Sequence, residues 1–83
     1  MYRTHILDLA TLLLEQGCAY QGCAYSYGQD RMVWEFEKSD KVQILETKFH
    51  AREKLVMSPR SYMETRGRLL TEIRLERERC NTQ

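Results

Sequence analysis

The stretch RMVWEFE (residues 31–37) decides the fold of this 83-residue chain. Met32, Trp34 and Phe36 recur at every second position, and the residues between and around them are mostly charged. A period of two predicts a β-strand with one buried face, and aromatic side chains favour the same structure. The sequence therefore predicts a sheet whose buried face is aromatic and whose other face is largely polar.

A second strand is expected just before this one. Residues 18–27 lie between Gly17, where a helix should stop, and the Gly-Gln-Asp turn signal at residues 28–30. Two strands joined by a short turn form an antiparallel hairpin.

This earlier strand contains most of a tandem repeat, because the pentapeptide QGCAY occurs at residues 16–20 and again at 21–25. Side chains of a strand alternate between faces, so a five-residue repeat reverses its facing in the second copy. A bulge at Gly22 is the alternative, since it would reset the register. Without a bulge, one face receives Cys18 and Tyr20, and the other receives Cys23, Tyr25 and Tyr27.

Helical spacing on both sides of the hairpin predicts three helices. The first covers about residues 5–16, ends at Gly17 and is apolar nearly all round, so it requires central packing or a subunit interface. The second begins at a Ser39-Asp40 cap, ends at about residue 53 and leads into a short apolar link at 54–57. The third opens at Ser58-Pro59 and continues to about residue 79.

The third helix contains Gly67, which costs about 1 kcal/mol relative to alanine inside a helix. Close approach of another helix, in this chain or in a second subunit, would explain it, and a kink is the alternative. A second capping box is expected at Ser61 and Glu64, and Glu/Arg pairs four residues apart predict ion pairs on the outer face. The residues expected to face inward are Tyr62, Met63, Leu69, Leu70 and Ile73.

Together these elements predict a single α+β domain over residues 1–83. A small antiparallel β-hairpin sheet is backed by three helices, and a short strand at residues 2–4 adds an edge. The expected order is (β)-α-β-β-α-α.

Composition limits the class of protein. No apolar stretch approaches the length of a membrane span, so no membrane partner is expected. Three cysteines, an odd number, argue against a disulfide framework and favour the reducing cytoplasm. The net charge of +1 conceals an asymmetry: residues 1–40 carry three basic and six acidic side chains, and residues 41–83 carry ten and six.

Catalytic and metal sites are not expected. The cysteine spacing C-x4-C is not that of a zinc site, and the alternation argument separates Cys18 from Cys23. Glu46, His50 and Glu53 share one helix face and could hold a cation. The same spacing is common on solvated helix faces with ion pairs, and we expect that interpretation to hold. There is no Gly-rich phosphate loop, nucleophile elbow or paired-carboxylate motif. We expect no enzyme and no cofactor, with a thiol- or metal-dependent enzyme kept as a minor alternative.

Two kinds of binding surface remain. Exposed aromatic and arginine side chains dominate protein-binding hot spots, and the candidates for this role are Tyr20, Tyr25, Tyr27, Arg60, Arg66 and Arg68. The stretch from residue 48 to residue 68 is basic and suits a nucleic-acid backbone, although the overall charge is low for such a role. Its candidates are Lys48, Arg52, Lys54, Arg60, Arg66 and Arg68.

The whole pattern resembles a family of small phage- and mobile-element-associated domains of unknown function. The resemblance rests on a helix ending in glycine (YRTHILDLATLLLEQG, residues 2–17), a hairpin closing on VWEFE (33–37) and the segment VMSPRSYMETRGRLLTEI (56–73). Its features are the aromatic-acidic pair Phe36-Glu37 and the Pro59-x-x-Tyr62 helix opening. The doubled QGCAY is outside the pattern.

The resemblance implies an accessory protein of a virus or mobile element, and it carries over no catalytic residue. We therefore expect a non-catalytic protein that binds a host or phage protein, with inhibition of a host system as one form that this binding can take. A homodimer and a nucleic-acid partner stay open as alternatives.

Overall fold

The computed structural model of the chain describes residues 1–28, 30–52 and 58–81. Its elements are β1 (Tyr2–Thr4), α1 (Leu7–Glu15), β2 (Tyr20–Ser26), β3 (Arg31–Phe36), α2 (Asp40–His50) and α3 (Pro59–Asn81). The order β-α-β-β-α-α and the α+β class are those that the sequence predicts. The expected link at 54–57 lies outside the described residues.

The sheet has three antiparallel strands in the order β1-β3-β2, so the aromatic strand is the central one. β1 pairs with only half of β3, from Tyr2 opposite Phe36 to Thr4 opposite Trp34. Arg3 and Glu35 are neighbours on the outer face, where the arginine Nε lies 2.7 Å from a carboxylate oxygen. That face is not wholly polar, because Val33 is fully buried as well.

A β-bulge in β2 overturns the expected facing of the repeat. Tyr20 lies opposite Phe36, but Gly22 lies opposite Glu35, so the strand gains one residue between these pairs. Cys23 and Tyr25 consequently share a face with Tyr20. The prediction that the two copies face opposite ways is wrong, and the bulge alternative is confirmed. Gly22 has φ +120°, a conformation that side chains with a Cβ rarely adopt.

Replacing Gly22 with alanine should lower the free energy of unfolding by about 1–3 kcal/mol, because the added Cβ strains the bulge conformation. No described residue lies within 4 Å of that Cβ, so the expected loss comes from backbone strain rather than from a clash. Urea unfolding followed by circular dichroism measures it. The matched control is Gly67→Ala on α3, where no described residue lies within 4 Å of the added Cβ, and it should instead stabilise by up to about 1 kcal/mol. Equal shifts in both variants would contradict the bulge.

All three helices cover the same face of the sheet. Met32, Trp34 and Phe36 from β3 meet α1 there, with Val42 and Leu45 from α2. α1 is the central helix, since its residues from Leu9 to Leu13 are all buried. Its apolar surface is therefore accounted for by central packing. Gly17 follows its end with φ +82°, and the Cys18 N–H donates to the Leu13 carbonyl at 3.0 Å, as a left-handed cap requires.

The packing of α3 differs from the expectation in part. Leu69 is fully buried and Ile73 nearly so, but Met63 and Leu70 are 61% and 43% exposed. The prediction that these two face inward is wrong. The buried line of α3 instead passes through Thr65, Leu69 and Ile73, at intervals of four residues.

The packing at Gly67 and the ion pairs of α3 also differ from what the sequence predicted. Among the described residues, a Cβ at Gly67 would meet nothing within 4 Å, so close packing against another described helix does not explain this glycine. Ser61 does not form the second capping box, because its hydroxyl donates to Glu15. Over the described part of α3, the ion pairs are Arg60–Glu64 and Arg79–Glu76 rather than those expected at 64–68, 68–72 and 74–78.

Candidate protein-binding surface

Two tyrosines project from the end of the hairpin. The Tyr25 and Tyr27 ring centroids lie 4.9 Å apart with an interplanar angle of 74°, an edge-to-face pair. Tyr27 is 89% exposed and Tyr25 38%. The Tyr25 hydroxyl donates a hydrogen bond to the Asp30 carboxylate across the turn, and this bond raises the pKa of the Tyr25 phenol. An exposed aromatic pair is thus fixed by its own turn.

Tyr20 has a different environment from the other two candidates. Its ring packs 5.2 Å from that of Phe36, and its hydroxyl donates to the Glu72 carboxylate of α3. Burial and this hydrogen bond raise the pKa of Tyr20 well above its usual value. Tyr20 therefore has a structural role, because it joins the sheet to α3.

A cleft of about 410 Å³ lies between the hairpin and α3. It opens where β1 stops at Thr4, because beyond Trp34 no described strand pairs with that edge of β3. Met32 and Trp34 line its sheet side, and Met32 is the cross-strand neighbour of Tyr25. The remaining lining residues are His5, Asp30, Arg31, Leu70, Ile73 and Arg77. We call Tyr25, Tyr27 and this cleft the hairpin-tip surface.

The charges of the cleft are uneven. Within the described part of the chain, Arg31 and Arg77 have no carboxylate within salt-bridge distance, whereas four other arginines each have one. The acidic residue in the lining, Asp30, accepts the Tyr25 hydroxyl with one of its oxygens. The cleft thus combines an apolar floor with two guanidinium groups that have no carboxylate partner among the described residues.

In the basic stretch from residue 48 to residue 68, here called the basic window, two of the described arginines already have carboxylate partners. Arg60 lies 3.4 Å from Glu64, and Arg66 lies 3.2 Å from Asp8. Arg68 is exposed on α3, and Lys48 and Arg52 are exposed at the end of α2. Lys54 lies outside the described residues.

Several polar groups of α3 instead hold it against α1. The Asp8 carboxylate accepts two hydrogen bonds, one from the Tyr62 hydroxyl at 3.0 Å and one from the Arg66 Nε. Burial and the bond to Asp8 raise the pKa of Tyr62 to about 12. At the other end of α1, Glu15 accepts the hydroxyls of Thr65 and Ser61, which lower the pKa of its carboxyl. Arg66 therefore has a structural role that its sequence position did not reveal.

The structure describes the side chains of two of the three cysteines, Cys18 and Cys23. Cys18 is buried, and burial raises the pKa of its thiol against the opposing effect of Lys41. Cys23 is half-buried and packs against the core. Among the described side chains, no group of three His, Cys, Asp or Glu residues is placed to hold a metal ion. Glu53, a member of the expected helical trio, and the side chain of Cys80 lie outside the described residues.

No family model, curated protein or solved structure matches this chain. Over the described residues, none of the helices has the length and apolar character needed to span a bilayer.

Sequence reasoning identified the two exposed tyrosines but missed the cleft beside them. Its residues come from β3, from the hairpin turn, from the position just after β1 and from the distal half of α3. No sequence pattern singled out Arg31 or Arg77, and helical spacing predicted that Leu70 faces inward. No spacing in the sequence connects these positions, because only the crossing of α3 over the hairpin brings them together.

Proposed function

We propose that this chain is a small, non-catalytic accessory protein of the phage or mobile-element type that acts by binding another protein through its hairpin-tip surface. The observation that carries the proposal is the ring of Tyr27, exposed over 89% of its surface yet held edge-on against Tyr25. Exposure of a large aromatic ring is unfavourable in water, and a partner would relieve it.

The fixed geometry of this pair favours a binding role. Aromatic side chains that are already ordered lose little conformational entropy on association, which is why tyrosine is frequent among hot spots. The Tyr25–Asp30 hydrogen bond and the edge-to-face contact supply this order. The adjoining cleft offers a recess into which a partner's side chain can insert.

A protein partner is favoured over nucleic acid by the distribution of charge. Arg60 and Arg66, two of the six basic-window candidates, already have carboxylate partners. The net charge of +1 is low for a domain dedicated to a phosphate backbone. An acidic group, Asp30, also lies beside the exposed rings.

The test is capture of partners by the tagged chain from a host-cell lysate, with and without nuclease. We expect Tyr27→Ala to weaken capture by at least about tenfold, as expected when a hot-spot residue is truncated. Ile44→Ala, which removes a 55% exposed apolar side chain from α2, is the matched control and should leave capture unchanged.

Two outcomes would contradict the proposal. Capture that survives Tyr27→Ala would place the interface elsewhere. Capture that disappears with nuclease and is weakened by Arg60→Ala together with Arg68→Ala would assign the basic window to nucleic acid, with a flatter salt dependence in the double variant.

A further inference from the structure

The cleft beside the tyrosine pair has chemistry that selects for one class of ligand. Its floor is apolar, since the buried side chains of Met32, Trp34 and Ile73 line it. Leu70 extends this apolar lining to the rim, where it is 43% exposed. An apolar side chain would replace water over this floor.

The rim supplies positive charge for a group next to that side chain. Arg31 at the start of β3 and Arg77 on α3 both line the cleft, and among the described residues neither has a carboxylate partner. Guanidinium groups bind carboxylates through paired hydrogen bonds. His5, also on the rim, adds a ring that donates or accepts a hydrogen bond.

The acidic residue of the rim does not cancel this preference. Asp30 directs one carboxylate oxygen to the Tyr25 hydroxyl across the turn. Over the described residues, two cations without a carboxylate partner therefore face one anion that already accepts a hydrogen bond, and the rim complements a negatively charged ligand.

We propose that the cleft lined by Met32, Trp34, Leu70, Arg31 and Arg77 binds an acidic segment of a partner protein, in which one bulky apolar side chain is flanked by carboxylates. The apolar side chain occupies the floor, and the flanking carboxylates pair with the two arginines. This inference rests on the proposed function, because it names the part of the partner that the hairpin-tip surface recognises.

Trp34 provides a direct readout of occupancy. It is the sole tryptophan of the chain, and its indole N–H donates to the Leu69 carbonyl at 3.3 Å beside the cleft. Its single indole signal in a ¹H–¹⁵N correlation spectrum should shift when the cleft is filled, together with the amides of Leu70 and Ile73.

Three short capped peptides test the chemistry: acetyl-Glu-Leu-Glu-amide, acetyl-Gln-Leu-Gln-amide and acetyl-Lys-Leu-Lys-amide. We expect the acidic peptide to shift these signals saturably and to bind about fivefold or more tightly than the neutral one, with the lysine peptide weakest. Arg77→Gln should remove this advantage. Arg74→Gln, an equal loss of charge at an exposed position of α3 outside the cleft lining, is the matched control and should retain it.

Several results would overturn the inference: equal binding of the three peptides, preference for the lysine peptide, shifts that map outside the cleft, or shifts caused by an oligothymidylate but by none of the peptides. Arg31→Gln is a second variant that repeats the test from β3, should Arg77→Gln alter the thermal unfolding curve.

The lysate experiment separates failure of the acidic-segment inference from failure of the proposed function. Capture lost in Tyr27→Ala but unchanged in Arg77→Gln would leave the protein-binding function intact and refute the acidic-segment inference.

Discussion

Trp34→Ala is expected to lower the free energy of unfolding by about 3–5 kcal/mol, enough to unfold much of the population of so small a domain. The ring is 3% exposed at the centre of the core that joins β3 to the helices. Removing the ring leaves a cavity. The Leu69 carbonyl also loses the hydrogen bond that it accepts from the indole N–H.

Far-ultraviolet circular dichroism during urea unfolding measures this effect, because the variant has no tryptophan to report by fluorescence. Trp34→Phe should recover part of the loss, since it restores most of the ring but not the N–H donor. Tyr27→Ala removes an aromatic ring that is 89% exposed and should change stability by less than about 0.5 kcal/mol. An unfolding curve for Trp34→Ala close to that of the wild type would mean that β3 buries its other face.

Leu69→Ala should lower the free energy of unfolding by about 2–5 kcal/mol, because Leu69 is fully buried where α3 meets the core. The adjacent Leu70→Ala removes the same number of atoms from a side chain that is 43% exposed, and it should cost less than about 1 kcal/mol. Leu75→Ala, at 53% exposure, is a further control on the same helix.

The leucine pair tests the rotation of α3 about its axis. Thermal and urea unfolding of the two variants under identical conditions give the comparison. Similar losses for Leu69→Ala and Leu70→Ala would indicate that α3 buries both leucines, as helical spacing alone predicts, and would remove Leu70 from the cleft.

The aromatic strand shows how far local pattern determines structure in this chain. The alternation of Met32, Trp34 and Phe36 predicted both the strand and its buried face, because only one facing of such a strand removes all three side chains from water. The caps at Gly17 and Ser39 were equally readable. A left-handed glycine and a serine that accepts the Val42 N–H act within a few residues of their own position.

The register of β2 was not readable in the same way. The tandem QGCAY implied opposite facings for its two copies. The bulge between Tyr20 and Gly22 instead places Tyr20, Cys23 and Tyr25 on the same face of the sheet as the aromatic residues of β3. Glycine permits this conformation without requiring it. The register follows from the neighbouring strand, against which Tyr20 and Cys23 lie opposite Phe36 and Trp34.

The sequence by itself determined the helices, the hairpin, the buried aromatic face and the exposed candidates at the hairpin tip, because each depends on periodicity or on a cap within one segment. Only the tertiary structure decided the rotation of α3, the attachment of Arg66 to Asp8 and the assembly of Arg31, Leu70 and Arg77 around one cleft. All three of these features depend on the angle and position at which α3 crosses α1 and the sheet. Packing sets that crossing between residues distant in the chain, and their proximity has no signature in any local pattern.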